Sequence, residues 1–206
     1  SLIAASKAYP IEFRTGAPNV SPHRLSAPTY GDMLLSQSPL SKQFTVAIEP
    51  LSAIVLNGRH GIALWAETNQ THWTTSSAYT TKLPEWISDY NKKDINKEYT
   101  INRWTPLYKA ETYRNSEVGV VEGIKDKTTE LITELNFDLD ETLYGQMSYT
   151  PAGNTMTLRF AQEIIKHEAL GTDPHTDVLN IYLDAARNIA EIYGPESIEY
   201  EDMLYR

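Results

Sequence analysis

Thr150 to Leu183 reads TPAGNTMTLRFAQEIIKHEALGTDPHTDVLNIYL, and this stretch decides the fold. Between Thr155 and Leu170, Met156, Phe160, Ile164 and His167 fall on one stripe beside Ala161, Ile165 and Ala169 on the next, the spacing of an amphipathic helix. After the turn-rich GTDPHTD, Val178 to Leu183 (VLNIYL) is a short apolar run bounded by polar residues, which predicts a buried strand. Ser197 to Arg206 then starts another helix, with Ser197 as N-cap and Glu199, Glu201 and Asp202 in the early turns, where carboxylates meet the positive end of the helix dipole. Helix, buried strand, helix is the order of an α/β domain with a mostly parallel sheet.

The chain before this stretch fits the same class. Four prolines, Pro10, Pro18, Pro22 and Pro28, predict extended chain and turns ahead of a short helix around Asp32 to Ser36. Lys42 to Ile48 (KQFTVAI) alternates and reads as a strand, and Ala53 to Leu56 reads as a second short apolar strand ending at Asn57-Gly58. Ile62 to Glu67 and His72 to Ser76 bracket the turn-like Thr68 to Thr71 and predict a small β-hairpin. Leu83-Pro84-Glu85 opens a helix with proline in its first turn, where a missing N-H costs nothing. Residues 100–149 are expected to form a long, partly irregular insertion within a single domain spanning 1–206.

Composition narrows the function. The 206 residues include no cysteine, which removes thiol catalysis, thiolate metal sites and disulfides together. The net charge of -9 is uneven: residues 1–103 hold 10 Lys+Arg against 8 Asp+Glu, and residues 104–206 hold 8 against 19. That acidic half repels a phosphate backbone, so no nucleic-acid partner is expected. No apolar run reaches the ~20 residues of a membrane span, and the first ten residues do not read as a signal peptide. A start at Ser1 reads as a processed or trimmed product.

Motifs for nucleotide phosphates, dinucleotides, zinc proteases or serine hydrolases do not occur. His23, His60, His72, His167 and His175 are scattered and read as surface or capping residues, although Arg59-His60 stands at a strand end where a pocket can form. Glu134 to Glu141 (ELNFDLDE) lacks the glycine and terminal glutamate spacing of a calcium loop and reads as a solvated face.

Three stretches, in order, resemble the alkaline phosphatase superfamily, in particular its type I phosphodiesterase/nucleotide pyrophosphatase branch and the related bacterial periplasmic alkaline phosphatases. The first is SPHRLSAPTYGDML at Ser21 to Leu34, continued by FTVAIEPLSAIVLNGRHGIALWAET and HWTTSSAYTTKLPEWISDYN. The second is Thr150 to Leu183, and the third is IYGPESIEYEDMLYR at Ile192 to Arg206. The resemblance implies an alkaline phosphatase-like α/β domain, a mostly parallel sheet flanked by helices, incomplete relative to the family domain. It also implies an exported, periplasmic or cell-surface setting.

Enzymes of that family use two zinc ions, a Thr or Ser nucleophile and a Lys-x-Arg clamp on the transferred phosphoryl group, because in-line displacement develops charge on both the attacking and leaving oxygens. The resemblance places the clamp just after the first strand, where this chain has Glu49-Pro50-Leu51. It places a zinc-binding Asp and, four residues later, a His shortly before Tyr193-Gly194-Pro195, where this chain has Arg187 and Glu191. An asparagine that accompanies the nucleophile falls in Leu2 to Tyr9, with Ala5 or Ser6 in its place.

Glu49, Leu51, Arg187 and Glu191 are therefore degenerate family positions, with no catalytic or metal-binding residue assigned and no cofactor expected. Arg187 and Glu191 are expected to pair as opposite charges at i, i+4 in place of a zinc ion. The leading expectation is a non-catalytic member of the superfamily with a binding or structural role. Its sheet edge, lacking the family's further strands, is expected to be covered by another chain or by further sequence of the same gene product, and association with a protein partner or a second copy is expected from it.

Two alternatives stay open. An active metal-dependent phosphomonoesterase or phosphodiesterase would rebuild its ligands from Asp184, Glu191 and Asp173 or Asp177 as oxygen donors for a hard cation. A binding module would use Trp65, Trp73, Tyr79, Trp86 and Tyr90, part of a total of 13 Tyr and 4 Trp, as an aromatic groove.

Overall fold

The computed structural model describes residues 8, 10, 11, 19–67, 72–93, 104–109, 112–114 and 147–206. Most of 100–149, the acidic run at 134–141 and the segment at 2–7 lie outside the described residues.

The sheet is built around β1 (Gln43–Ala47), whose five residues are all buried. It pairs in parallel on one side with β2 (Ile62–Ala66), Phe44 opposite Ile62 and Ala47 opposite Trp65. On the other side it pairs in parallel with β4 (Val178–Ile181), Gln43 opposite Val178 and Val46 opposite Ile181. The two-residue β3 (Trp73–Thr74) returns antiparallel to β2, giving the order β3-β2-β1-β4. The expected hairpin thus exists as one margin of the main sheet.

Alternation along the central strands divides the core into two layers. Phe44, Val46, Leu64 and Ala66 face helix α4 (Pro151–His167), where Met156, Phe160 and Ile164 are fully buried against them. Ala47, Ala63 and Trp65 face helix α2 (Pro50–Asn57), packed on Ala53 and Ile54. Helix α1 (Tyr30–Gln37) precedes β1, and helix α3 (Glu85–Lys92) adds Ile87 and Tyr90 to the α4 layer.

Three sequence expectations are corrected. Ala53 to Leu56 is not a strand but the middle of α2, which crosses over between β1 and β2. Pro50 in the first turn presets a helical φ, and Ala53, Ile54 and Asn57 turn inward at helical spacing, a pattern that a four-residue window cannot display. β4 is not fully buried: Val178 to Asn180 are half-buried and Ile181 is 38% exposed, because β4 is the sheet margin. Of its apolar residues, Leu179 packs on the α4 layer. The aromatic groove does not form either: Trp65, Trp73 and Tyr90 are buried and Tyr79 and Trp86 are partly buried against the core. Trp73 stacks on Phe160 with centroids 4.2 Å apart and planes 1° from parallel.

Two further helices follow β4. Helix α5 (Asp184–Tyr193) was not anticipated as an element, and α6 (Ile198–Tyr205) begins as expected with Ser197 accepting the Tyr200 N-H at 3.1 Å. Asp202 on α6 gathers Trp104, Leu107 and Tyr113: it accepts bonds from the Trp104 indole at 2.7 Å, the Leu107 N-H at 2.7 Å and the Tyr113 hydroxyl at 2.5 Å, and from Arg206 Nε at 2.8 Å.

Asp32 plays a similar part beneath the sheet. It closes a capping box with Thr29 at the start of α1, and its Oδ1 accepts the backbone N-H groups of Arg59 and His60 and meets His60 Nδ1 at 2.9 Å. Burial pulls the Asp32 carboxyl upward, but these bonds, with the one from Thr29 N-H, hold it below its ordinary value. Its contribution to stability is therefore complete above the ordinary carboxylate range and is lost as pH falls through its depressed folded value.

Two predictions follow from this packing. Phe160→Ala opens a cavity under the Trp73 ring and should cost about 3–5 kcal/mol in denaturant unfolding. Asp32→Asn should cost about 2 kcal/mol at neutral pH and flatten the decline of stability below about pH 4, measured as unfolding midpoints across an acid series.

Candidate functional site

In open α/β sheets the carboxyl ends of parallel strands form the crevice where ligands bind. Here β1 ends into α2 and β4 ends into α5, so the segments Ile48 to Ser52 and Asp184 to Glu191 meet at one end of the sheet.

Asp184 joins them. It is fully buried at the start of α5, and its Oδ2 accepts the N-H groups of Ile48 at 2.7 Å and Glu49 at 3.1 Å. Its Oδ1 accepts the Ser52 hydroxyl at 2.8 Å. The donors span the junction of β1 and α2: Ile48 precedes the helix, Glu49 is its N-cap, and Ser52 lies in its first turn. Burial pushes the Asp184 carboxyl up, and the bonds from Ser52, Glu49 and Ile48 pull against it, with the Glu49 charge adding to the rise. Helix α5 is fixed from the other side by Asn154, which accepts the Ala185 N-H at 3.2 Å, and by Asn188, which donates to the Ser148 carbonyl at 3.2 Å.

On this frame stands a cluster of one cation among three carboxylates. Arg187 Nη2 lies 2.7 Å from Glu49 Oε2 and 3.8 Å from Asp184 Oδ1, and its Nη1 lies 3.4 Å from Glu191 Oε1. Partial burial would lower the guanidinium pKa, but the charge of Glu49 first, then Glu191 and Asp184, carries it above its ordinary value. Arg187 cannot lose its proton and has no lone pair, so it serves this cluster as a fixed donor of hydrogen bonds. Leu51, on the next residue of α2 after Pro50, presents a side chain 46% exposed.

Of the residues singled out by sequence, Glu49, Arg187 and Glu191 come together. The Arg187–Glu191 pair forms, but its 3.4 Å contact is longer than the 2.7 Å contact from Arg187 across to Glu49. That cross-strand partner was not anticipated, since two residues 138 positions apart give no local signal. Ser52 was also missed.

The carboxylates proposed for rebuilt chemistry do not converge. Asp177 stands at the opposite end of β4, accepting the Lys42 N-H at 2.6 Å and the Gly171 N-H at 2.9 Å. Asp173 accepts the His175 N-H at 2.8 Å. Among the described residues no three His, Asp or Glu side chains form a group arranged to hold a metal ion, and no helix is long and apolar enough to cross a membrane.

Known proteins place this frame. No family model matches the chain. It is 32% identical over 193 residues to alkaline phosphatase PafA of Elizabethkingia meningoseptica, covering 90% of this chain and 35% of that protein. It is 30% identical over 192 residues to alkaline phosphatase PhoV of Synechococcus elongatus, covering 91% and 35%. A protein named calcium-transporting ATPase from Myroides odoratus is 32% identical over 194 residues, covering 90% and 35%. The crystal structure of wild-type PafA superimposes with a TM-score of 0.85 at 27% identity, over 98% of this chain and 40% of that one. A PafA variant in which a threonine, an asparagine, a lysine and an arginine are replaced gives a TM-score of 0.87. The chain thus spans 35% of the length of these curated relatives.

The cluster separates structural from surface roles by energy. Asp184→Ala strips two backbone amides and a hydroxyl of their acceptor and should cost about 3 kcal/mol or more. Glu49→Gln removes a solvent-screened pair and should cost under about 1 kcal/mol. Chemical denaturation of the two variants checks the ranking; equal losses would contradict it.

Proposed function

We propose, from the kinship in sequence and fold with alkaline phosphatases, that this chain is a non-catalytic relative of those enzymes with a binding or structural role. The single observation that carries the reading is the 2.7 Å contact between Arg187 and Glu49. On the resemblance stated above, the first occupies the place of a zinc-binding aspartate and the second the place of a phosphate-clamping lysine. Both charges are reversed, and the two reversed side chains satisfy one another. The pair is partly exposed, so it neutralises the two charges at the mouth of the sheet at little cost in either direction.

Further observations support the reading. The lysine and arginine replaced together in the PafA variant stand two residues apart, the spacing of Glu49 and Leu51. A glutamate there repels a phosphoryl group, and a leucine offers it no donor. The donor set also does not suit zinc: a guanidinium cannot ligate it, and Asp184 spends both oxygens on N-H and O-H groups and on fixing α2. No step through a metal ion is derived for this chain. An exported setting fits the kinship.

The edge of the sheet extends the proposal. Among the described residues β4 pairs with β1 on one side only, and Ile181 and Leu183 are 38% and 39% exposed. An open strand edge recruits another strand, so β4 is assigned to pairing with further sequence of a longer polypeptide, with a protein partner or with a second copy.

Two experiments test these statements. Hydrolysis of p-nitrophenyl phosphate and its diester, with zinc or magnesium supplied, should not exceed the buffer rate for this chain or for any longer polypeptide that carries it. Saturable turnover abolished by chelator would overturn the non-catalytic reading. Light scattering at micromolar concentration should detect association; a strictly monomeric species would count against the open edge as an interface.

A further inference from the structure

At the other end of the sheet, where β2 begins, lies a cleft of about 380 Å³ lined by Ser21, Pro22, His23, Arg59 and Ala78. It is remote in topology from the Asp184 cluster, since β1 and β2 run parallel and Arg59 belongs to the loop that enters β2.

That loop is held rigidly. It turns through Gly58 at φ 86° and Gly61 at φ 71°, conformations that L side chains rarely adopt. A Cβ on Gly58 would come within 2.2 Å of Asp32 Oδ2, and one on Gly61 within 2.5 Å of the Gln43 carbonyl. Between the two glycines, Asp32 accepts the backbone N-H groups of both Arg59 and His60 at 2.8 Å. Arg59 is fixed at its other end as well, because Nη2 donates to the Leu25 carbonyl.

A guanidinium tethered in this way differs from the other arginines with carboxylate partners. Arg187 is neutralised by Glu49 and Arg206 by Asp202. Among the described residues no carboxylate stands within ion-pair reach of the Arg59 guanidinium, and Asp32, next to it in the fold, spends Oδ1 on backbone amides and the His60 ring. One donor of the fork goes to Leu25, and the rest remain for a ligand. The cleft is open to solvent, so a ligand held there keeps part of its hydration. Pro22 and Ala78 supply aliphatic walls, while His23 and the Ser21 hydroxyl add polar groups beside the cation.

We propose that this cleft binds a small organic oxyanion, a carboxylate or phosphate ester with a short apolar body, on the Arg59 guanidinium. The side-chain entropy that a surface arginine loses on binding is already spent in the free protein, and the planar fork matches two oxygens of the ligand. The site is independent of the Glu49–Arg187 pair, so it stands whether or not the non-catalytic reading does.

The test is calorimetric titration of the protein with butyrate, with ethyl phosphate and with n-butanol as the neutral match. Either anion should bind saturably at one site, more weakly as salt rises, and butanol should not bind. Binding of only one anion assigns the site to planar or to tetrahedral oxyanions. Arg59→Gln, which keeps the backbone bond to Asp32, should weaken binding about tenfold or more, and Arg187→Gln should leave it unchanged. If Arg59→Gln fails to fold by circular dichroism, Arg59→Lys keeps the charge without the fork and should still weaken binding measurably. Saturable binding of neither anion, or equal binding by the folded Arg59 variants, overturns the proposal.

Discussion

Everything at the carboxyl end of the sheet depends on one buried carboxylate. Asp184 begins α5 and ends the β4 connection, yet its oxygens are committed to the junction of β1 and α2, to the N-H groups of Ile48 and Glu49 and the Ser52 hydroxyl. One side chain thereby satisfies two backbone N-H groups, the Glu49 N-cap amide among them, and ties two strand ends together. Glu49 and Arg187 meet because Asp184 has already brought their helices together. Asp32 and Asp202 repeat the device elsewhere, each a buried acid that gathers amides from a segment distant in sequence.

On the proposed reading, this arrangement lets a frame persist while its chemistry changes. The three carboxylates are of two kinds: Asp184 is an internal strut, whereas Glu49 and Glu191 are partly exposed and hold Arg187 at the surface. Substituting the second kind costs little, because exposed ion pairs are weak. Altering the first kind would leave amides unsatisfied in the interior. On the proposed reading, the departures from the alkaline phosphatase pattern fall on side chains that the fold can spare, Glu49, Arg187 and Glu191 among them.

Much of the fold was legible in the sequence because it is written in local periodicity. The helical stripe of Met156, Phe160 and Ile164, the alternation of Gln43 to Ala47 and the Ser197 cap each lie within one element and formed as expected. Ala53 to Leu56 misled because a short run of apolar residues looks the same in a strand and on the inner face of a helix. The half-exposure of β4 was hidden for a different reason: an apolar strand reads alike in the centre of a sheet and at its margin. At the site, Arg187 and Glu191 were visible as a four-residue spacing, but the stronger Arg187–Glu49 contact joins residues 138 apart and appears only when β1 and β4 lie side by side.

The central claim is that reversed charges, paired with each other, stand where a metal and a phosphate clamp would act. Elemental analysis of the protein purified without chelator, counting zinc, magnesium and calcium per chain, tests it most directly. The account predicts no stoichiometric metal. About two transition-metal equivalents per chain would contradict it and return Arg187 and Glu191 to the margin of a working phosphoryl-transfer site.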